Sequence, residues 1–291
     1  MERRKAYDCG MGNILFVDIG GTLIDYTNRL PHSAVEALRA ARANGHKVYL
    51  STGRSIAEVT QELWNIGVDG LIGAQGAYVE SHQQVVYHRG LSGEENRQVV
   101  DWLKQRGCEF YLESNNGLYA SPNFEEEGDA LLRRMAEEKG IDEMTTRDFY
   151  PNMIWNENLY RDDVNKISYI LNTYDDFEDT RSHFPDLEHS TWGNFGEDAL
   201  FGSVGVGGVS KHEAVNRLLK FLNARREDTI AFGDSARDLS LFEASARGVA
   251  VGRASVALTE AADLVTESAD NDGLAKAFIE LGLIEKDQVR L

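Results

Sequence analysis

The stretch Phe16-Val17-Asp18-Ile19-Gly20-Gly21-Thr22-Leu23-Ile24-Asp25 decides how the rest of the chain reads. Four apolar residues, Ile14 to Val17, run into Asp18, and a glycine-rich turn follows at once. This is the pattern of a short buried strand that delivers a carboxylate to its own end. In an open parallel sheet, ligands gather at the carboxyl ends of the strands, so Asp18 is a candidate site residue if the neighbouring segments build such a sheet.

They have the right rhythm. Ser33 to Asn44 places Val35, Leu38 and Ala41 on one helical face, Ser33 and Glu36 form a capping-box pair, and Gly45 closes the helix. Val48 to Ser51 is a strand, Ser55 with Glu58 caps a helix that runs to Gly67, and Leu71 to Gly73 is a third strand. Strand alternating with helix predicts a parallel sheet with crossover connections. The rhythm then changes to hairpins and helices, with strands at Glu109–Leu112, Leu118–Ala120 and Lys166–Leu171 and helices at Glu94–Arg106, Asn123–Lys139 and Asp175–Phe184. It resumes with a strand at Leu200–Val206 and a helix capped by Ser210 and Glu213. Strands at Thr229–Phe232, Val249–Val251 and Leu264–Thr266 follow, each succeeded by a helix. The predicted fold class is α/β, a Rossmann-like parallel-sheet core at 1–81 and 191–291 with a large inserted α+β domain at 82–190.

The 291 residues suffice for a core and such an insertion, and the net charge of -18 argues against a general nucleic-acid binder. An anionic substrate would need a local cation on so acidic a protein. Cys9 and Cys108 lie far apart and predict reduced thiols in a cytoplasmic protein. No apolar run has the length of a membrane span, and the charged start lacks the apolar stretch of a secretory signal.

Polar residues follow apolar runs at Asp18, at Ser51-Thr52-Gly53-Arg54, and at Gly233-Asp234-Ser235-Ala236-Arg237-Asp238, while Lys211 occupies the first turn of a capped helix. Each alone reads blandly, as a turn, a cap or a solvated cation. Together they form a chemical kit. Asp18, Asp234 and Asp238 are carboxylates that repel one another unless a cation lies between them, and hard oxygen ligands favour Mg²⁺. Thr52 offers a hydroxyl and nearby backbone N–H groups to a phosphate, and Lys211 a fixed positive charge. A carboxylate nucleophile, a divalent metal, a lysine and a hydroxyl are what phosphoryl transfer needs.

With those residues in place, the chain resembles the haloacid dehalogenase superfamily, and within it the Cof-type, type IIB capped phosphatases. The resemblance covers nearly all of residues 13–283. "ILFVDIGGTLID" is similar to the first family motif, "VYLSTGRS" to the second, "GVSKHEAV" to the third and "IAFGDSARDLSLF" to the fourth, in the family's order. It implies Asp18 as nucleophile and metal ligand, the backbone carbonyl of Gly20 and Asp234 as further ligands, and Asp238 as support for the metal shell. It implies Thr52 and Lys211 as catalytic holders of the phosphoryl group, with Gly53 and Arg54 shaping the same phosphate-binding loop. Mg²⁺ is the implied cofactor, and the inserted cap selects a small phosphorylated metabolite, often a sugar phosphate. A similar D-x-G-G-T turn opens actin-like sugar kinases. Those need two further nucleotide loops and a strand returning straight after the turn, where this chain has a helix.

Four positions depart from the family pattern. The second Asp of the first motif, which protonates the leaving alkoxide and later activates water, is Gly20; Arg237 takes an Asn position in the fourth motif; Gln75-Gly76-Ala77 replaces "NGA"; and Gly252-Arg253-Ala254 replaces "GNA". General acid–base help is worth about 10² to 10⁴ in rate, so its loss weighs most on alkyl phosphates. Three functions follow. The first is a Mg²⁺-dependent phosphatase working through an aspartyl-phosphate, slowed by Gly20. The second is a degenerate member that binds a phosphorylated ligand without turnover. The third is a phosphonatase-like C–P hydrolase, which would need a cap lysine such as Lys104, Lys139 or Lys166 for a Schiff base.

Overall fold

The computed structural model describes residues 12–25, 27–139, 144–192 and 196–291, without the side chains of 135, 138 and 139. Cys9 and the side chain of Lys139 therefore lie outside the described residues. In chain order the strands and helices are β1 (Ile14–Asp18), α1 (His32–Ala43), β2 (Lys47–Ser51), α2 (Gln61–Trp64), β3 (Gly70–Gly73), β4 (Tyr78–Ser81), β5 (Gln84–His88) and α3 (Gly93–Gln105). Next come β6 (Phe110–Ser114), β7 (Leu118–Ala120), α4 (Phe124–Lys139), α5 (Thr146–Phe149), β8 (Met153–Ile154), β9 (Val164–Ile170), α6 (Tyr174–His183), β10 (Glu188–Trp192) and β11 (Phe201–Gly205). The chain ends with α7 (Lys211–Leu222), β12 (Thr229–Gly233), α8 (Leu239–Ala244), β13 (Arg247–Val251), α9 (Val256–Ala261), β14 (Leu264–Thr266) and α10 (Gly273–Glu280). No helix among the described residues is long and apolar enough to cross a membrane.

The chain divides into two compact units. The first comprises residues 1–52, 61–87 and 210–291, and the second 53–60 and 88–209. The first holds an eight-stranded sheet in the order β14-β13-β12-β1-β2-β3-β4-β5. Its pairs from β14 to β3 are parallel, and β4 turns back antiparallel to β3. β1 lies at the centre, and every residue of it is buried, as the apolar run Ile14 to Val17 between two parallel neighbours requires. Phe16, Tyr49, Ile72, Val215, Leu218 and Phe242 pack into one core cluster beside it.

The register explains which residues can meet. Val17 pairs with Phe232 and Asp18 with Ser51. The residues that follow β12 and β2 at that end are thus Asp234 and Thr52, level with the end of β1. α7 begins nearby because two backbones touch. A Cβ on Gly76 would lie 2.2 Å from the Ser210 carbonyl oxygen, and Gly76 has φ of +102°. Only glycine satisfies both the approach and the dihedral.

The second unit holds a six-stranded sheet in the order β10-β11-β9-β6-β7-β8, antiparallel except between β7 and β8. Several expectations change here. The strand expected at Leu200–Val206 in the first sheet is β11, and it belongs to the second. Gly202 stands opposite Tyr169, and a Cβ there would meet that ring at 2.4 Å, so this strand is shaped for β9. The unit boundaries accordingly fall at 87/88 and 209/210, not at 81/82 and 190/191, and β5 extends the first sheet.

Two helix expectations also change. Ser33 does not cap α1; its hydroxyl donates to Asp272 at 2.6 Å, and Pro31 occupies the cap position. The helix expected from Ser55 to Gly67 is broken. Ser55 and Glu58 do form a capping box, but it opens a single turn, Ile56–Glu58, that ends in extended backbone at Val59 before α2.

Gly76→Ala should destabilise the protein by about 2–4 kcal/mol, from the left-handed dihedral and the backbone collision together. Urea unfolding measures this, and a loss below about 0.5 kcal/mol would show that α7 does not depend on the approach.

Candidate active site

Asp18 ends β1 with 9 % of its surface exposed, Asp234 follows β12 with 7 %, and Asp238 is fully buried. One carboxylate oxygen from each lies within 4.8 Å of the others. Burying three acids together is costly unless positive charge is supplied. Lys211 supplies part of it. Its Nζ donates to Asp18 Oδ1 at 2.9 Å, to Asp238 Oδ1 at 2.6 Å and to the Ser51 carbonyl at 3.4 Å.

The position of Lys211 is unusual for a lysine. It opens α7, where the partial positive charge of the helix disfavours a cation, and its side chain is only 2 % exposed. Ser210 still caps the helix by accepting from the Glu213 N–H at 3.1 Å. Burial works against the charge on Lys211, but Asp18 and Asp238 outweigh it and hold its proton more firmly than usual.

The remaining contacts fix each acid. Asp238 Oδ2 accepts from the backbone N–H of Asp234 at 3.3 Å and of Ser235 at 3.1 Å, and from the Ser235 hydroxyl at 3.1 Å. Both Asp238 oxygens thus already receive donors. Asp234 Oδ1 accepts from the Thr22 hydroxyl at 3.3 Å, and the Asp234 carbonyl accepts from the Ser255 N–H at 2.9 Å. Thr52, 3 % exposed, is held by its backbone, donating to the Ile72 carbonyl at 2.8 Å and accepting from the Gln75 N–H at 3.2 Å.

One lysine against three acids leaves two negative charges in excess. Asp18 registers this. Burial pushes its carboxyl up to about 7, Asp238 and Asp234 push the same way, and Lys211 opposes them. The cluster is built of hard oxygen donors and is short of positive charge, so it fits a divalent cation, held by Asp18 and Asp234 with Asp238 behind them.

The turn after β1 closes on itself. Gly21 N–H donates to the Ile24 carbonyl at 2.8 Å, and Leu23 and Ile24 N–H groups donate to the Ile19 carbonyl at 3.0 and 2.9 Å. Gly20 is exposed, and a Cβ there would meet nothing within 4 Å. Its φ is not in the left-handed region, which Gly21 occupies at 83°. Nothing in the backbone therefore requires glycine at position 20.

Of the residues singled out by sequence, Asp18, Thr52, Lys211, Asp234 and Asp238 belong to the first unit, and hydrogen bonds and proximity join the four charged ones. Gly53 and Arg54 belong to the second unit, where Gly53 accepts from Lys166 Nζ at 3.2 Å. Arg237 and Arg253 are exposed. Lys104 donates to the Tyr160 hydroxyl at 3.2 Å from an exposed position. Three participants were not anticipated, namely Thr22, Ser235 and the Ser51 carbonyl. Thr22 stands inside the first motif, so its place after the glycine pair was an available signal; a backbone carbonyl leaves none.

The Asp18 proton also links pH to stability. Without metal the folded protein holds this proton up to about 7, whereas the unfolded chain loses it near 3.8. Between those values the folded state binds more protons, so this group costs increasing stability as pH rises. Wild type should lose stability relative to Asp18→Asn from about pH 4 to about pH 7 in chelator, and much less so with a divalent cation present. Urea unfolding across that range reads the difference, and one independent of pH would contradict the assignment.

Comparison with known proteins shows the family. A family model described as haloacid dehalogenase-like hydrolase matches residues 15–278. The Bacillus subtilis (strain 168) protein named "Putative phosphatase YkrA" is 29 % identical over 276 residues, covering 94 % of this chain and 98 % of its own. Phosphatase YwpJ of the same organism is 25 % identical over 283 residues, covering 90 % and 97 %. Among solved structures, the subclass IIB sugar phosphatase BT4131 superposes with a TM-score of 0.74 at 26 % identity, covering 94 % of this chain and all of that one. The chain belongs to the haloacid dehalogenase-like hydrolase family, and it is a hydrolase.

Proposed function

We propose that this enzyme, a hydrolase of phosphoric monoesters, uses Asp18 as its nucleophile and Mg²⁺ as its cofactor, and that its substrates are small phosphorylated metabolites of the sugar-phosphate class. The observation that carries the reading is the buried cluster in which Lys211 bridges Asp18 and Asp238 beside Asp234. The sugar-phosphate class is supported by the likeness to a sugar phosphatase.

An Asp18 carboxylate oxygen attacks phosphorus, the bond to the leaving oxygen breaks, and an aspartyl-phosphate forms. Water then attacks that phosphorus, the bond to the Asp18 oxygen breaks, and phosphate leaves. Lys211 offers its charge beside the attacking oxygen, and Thr52 offers its hydroxyl to the phosphoryl oxygens. The cation would be held by Asp18, Asp234 and the Gly20 carbonyl, and would neutralise charge on the phosphoryl group. Asp238, with both oxygens already engaged, keeps Lys211 and the Asp234 backbone in place.

Gly20 leaves both steps without a positioned proton carrier. The leaving oxygen of an alkyl phosphate must take its proton from solvent, whereas an aryl oxygen leaves as a stable anion. The enzyme should therefore favour acidic leaving groups.

Asp18→Asn should abolish Mg²⁺-supported hydrolysis of p-nitrophenyl phosphate in a folded protein, and undiminished activity would remove the proposed nucleophile. Gly20→Asp, for which the turn has room, should raise kcat/KM for alkyl phosphates by about 10² or more while changing that for p-nitrophenyl phosphate far less. A well-folded Gly20→Asp with no gain on alkyl phosphates would show that proton transfer is supplied elsewhere. Release of no phosphate from any monoester, together with thermal stabilisation by sugar phosphates, would favour a binding protein instead.

A further inference from the structure

The segment 53–60 follows Thr52 directly yet packs as part of the second unit. Its partners there are specific. Lys166 Nζ donates to the Gly53 carbonyl at 3.2 Å, and Asn165 Nδ2 donates to the Ser55 hydroxyl at 3.0 Å. Adjacent residues of a regular strand point to opposite faces, so Asn165 and Lys166 would not ordinarily reach one short segment together. The register of β9 against β6 explains it. Glu113 pairs with Lys166, but Ser114 pairs with Val164, which leaves Asn165 as the extra residue of a β-bulge. Bulges re-aim side chains in this way.

Behind Lys166 stands Glu113, fully buried, with Oε2 at 3.0 Å from Nζ and Oε1 accepting from the Ser168 hydroxyl at 2.5 Å. The Lys166–Glu113 contact lacks the alignment of a hydrogen bond, since Oε2 counts among the buried atoms without one. Burial, reinforced by neighbouring Glu58 and opposed by Lys166, holds the Glu113 carboxyl well above its ordinary range. Lys166 Nζ thus lies between the Glu113 carboxyl and the Gly53 carbonyl, within reach of both. Asn165 is tied in turn by Asn115 and His88, at 2.8 Å each.

We propose that Lys166 is a positioning residue for phosphate binding: through the Gly53 carbonyl it fixes the peptide that leads on from Thr52. The proposal rests on the reading that Thr52 binds the phosphoryl group. Lys166 touches neither substrate nor metal; it acts through the peptide it holds.

The test separates positioning from stability. Lys166→Met removes the donor, and Glu113→Gln/Lys166→Met removes it without leaving an acid beside an apolar side chain. Either variant should raise KM for a phosphomonoester and the Ki of inorganic phosphate together by about tenfold, the effect of one charge-assisted hydrogen bond, with kcat changed far less. Lys166→Arg, which keeps a charged donor, should bring Ki back toward wild type. An unchanged Ki in a double variant that melts as wild type does would overturn the proposal, because a merely structural pair moves only the melting temperature. Asp18→Asn in the same assay separates the two readings. If it is as active as wild type, the site assignment itself fails and this inference falls with it. If it is inactive while Ki is unchanged in the Lys166 variants, only this inference fails.

Discussion

Lys211 sits at the start of a helix, buried, with a carboxylate on either side, and the first unit is arranged so that it can. The helix end repels its charge and burial penalises it. Asp18 and Asp238 reverse both effects, at 2.9 and 2.6 Å. That pairing needs β1 at the centre of the sheet, β12 in register beside it, and the start of α7 pressed against Gly76. Asp238 in turn ties the loop after β12 by accepting from the Asp234 and Ser235 N–H groups. The same contacts that place Asp18 therefore also fix the loop that carries Asp234.

The arrangement leaves negative charge in excess, which is useful only if something positive arrives. A divalent cation and a phosphoryl group meet that condition together, since the first binds the acids and the second would otherwise be repelled by them. On a chain of net charge -18 this local balance matters more than the surface. Gly20 alters the balance in one respect. In the proposed mechanism it removes a proton carrier without disturbing the turn, because the backbone there accepts any residue and the space beside it is open. The consequence proposed for it is chemical, not structural, and it falls on the leaving group.

How much of this was legible in the sequence depended on whether the signal was local. Asp18, Thr52, Lys211 and Asp234 each sit one step past an apolar strand or inside a cap, so type and position could be read together. The doubly wound core followed from strand and helix alternation for the same reason. Failures arose where a long-range partner decided. Ser33 looks like a helix cap until Asp272, far along the chain, takes its hydroxyl. Phe201–Gly205 has a strand's composition, but only Tyr169 opposite Gly202 says which sheet it joins. The segment after Thr52 reads as the start of a helix, and its membership of the second unit is set by a bulge more than 100 residues away.

The central claim is that proton transfer to the leaving group is what this site lacks. The most direct measurement is kcat/KM for a series of substituted phenyl phosphates, plotted against leaving-group pKa, because kcat/KM reports the first chemical step even when loss of phosphate from Asp18 limits turnover. A steep fall in rate as leaving-group pKa rises, flattened in Gly20→Asp, is the predicted result. A flat plot for the wild-type protein would mean that a proton donor acts in the transition state after all, and would contradict the account.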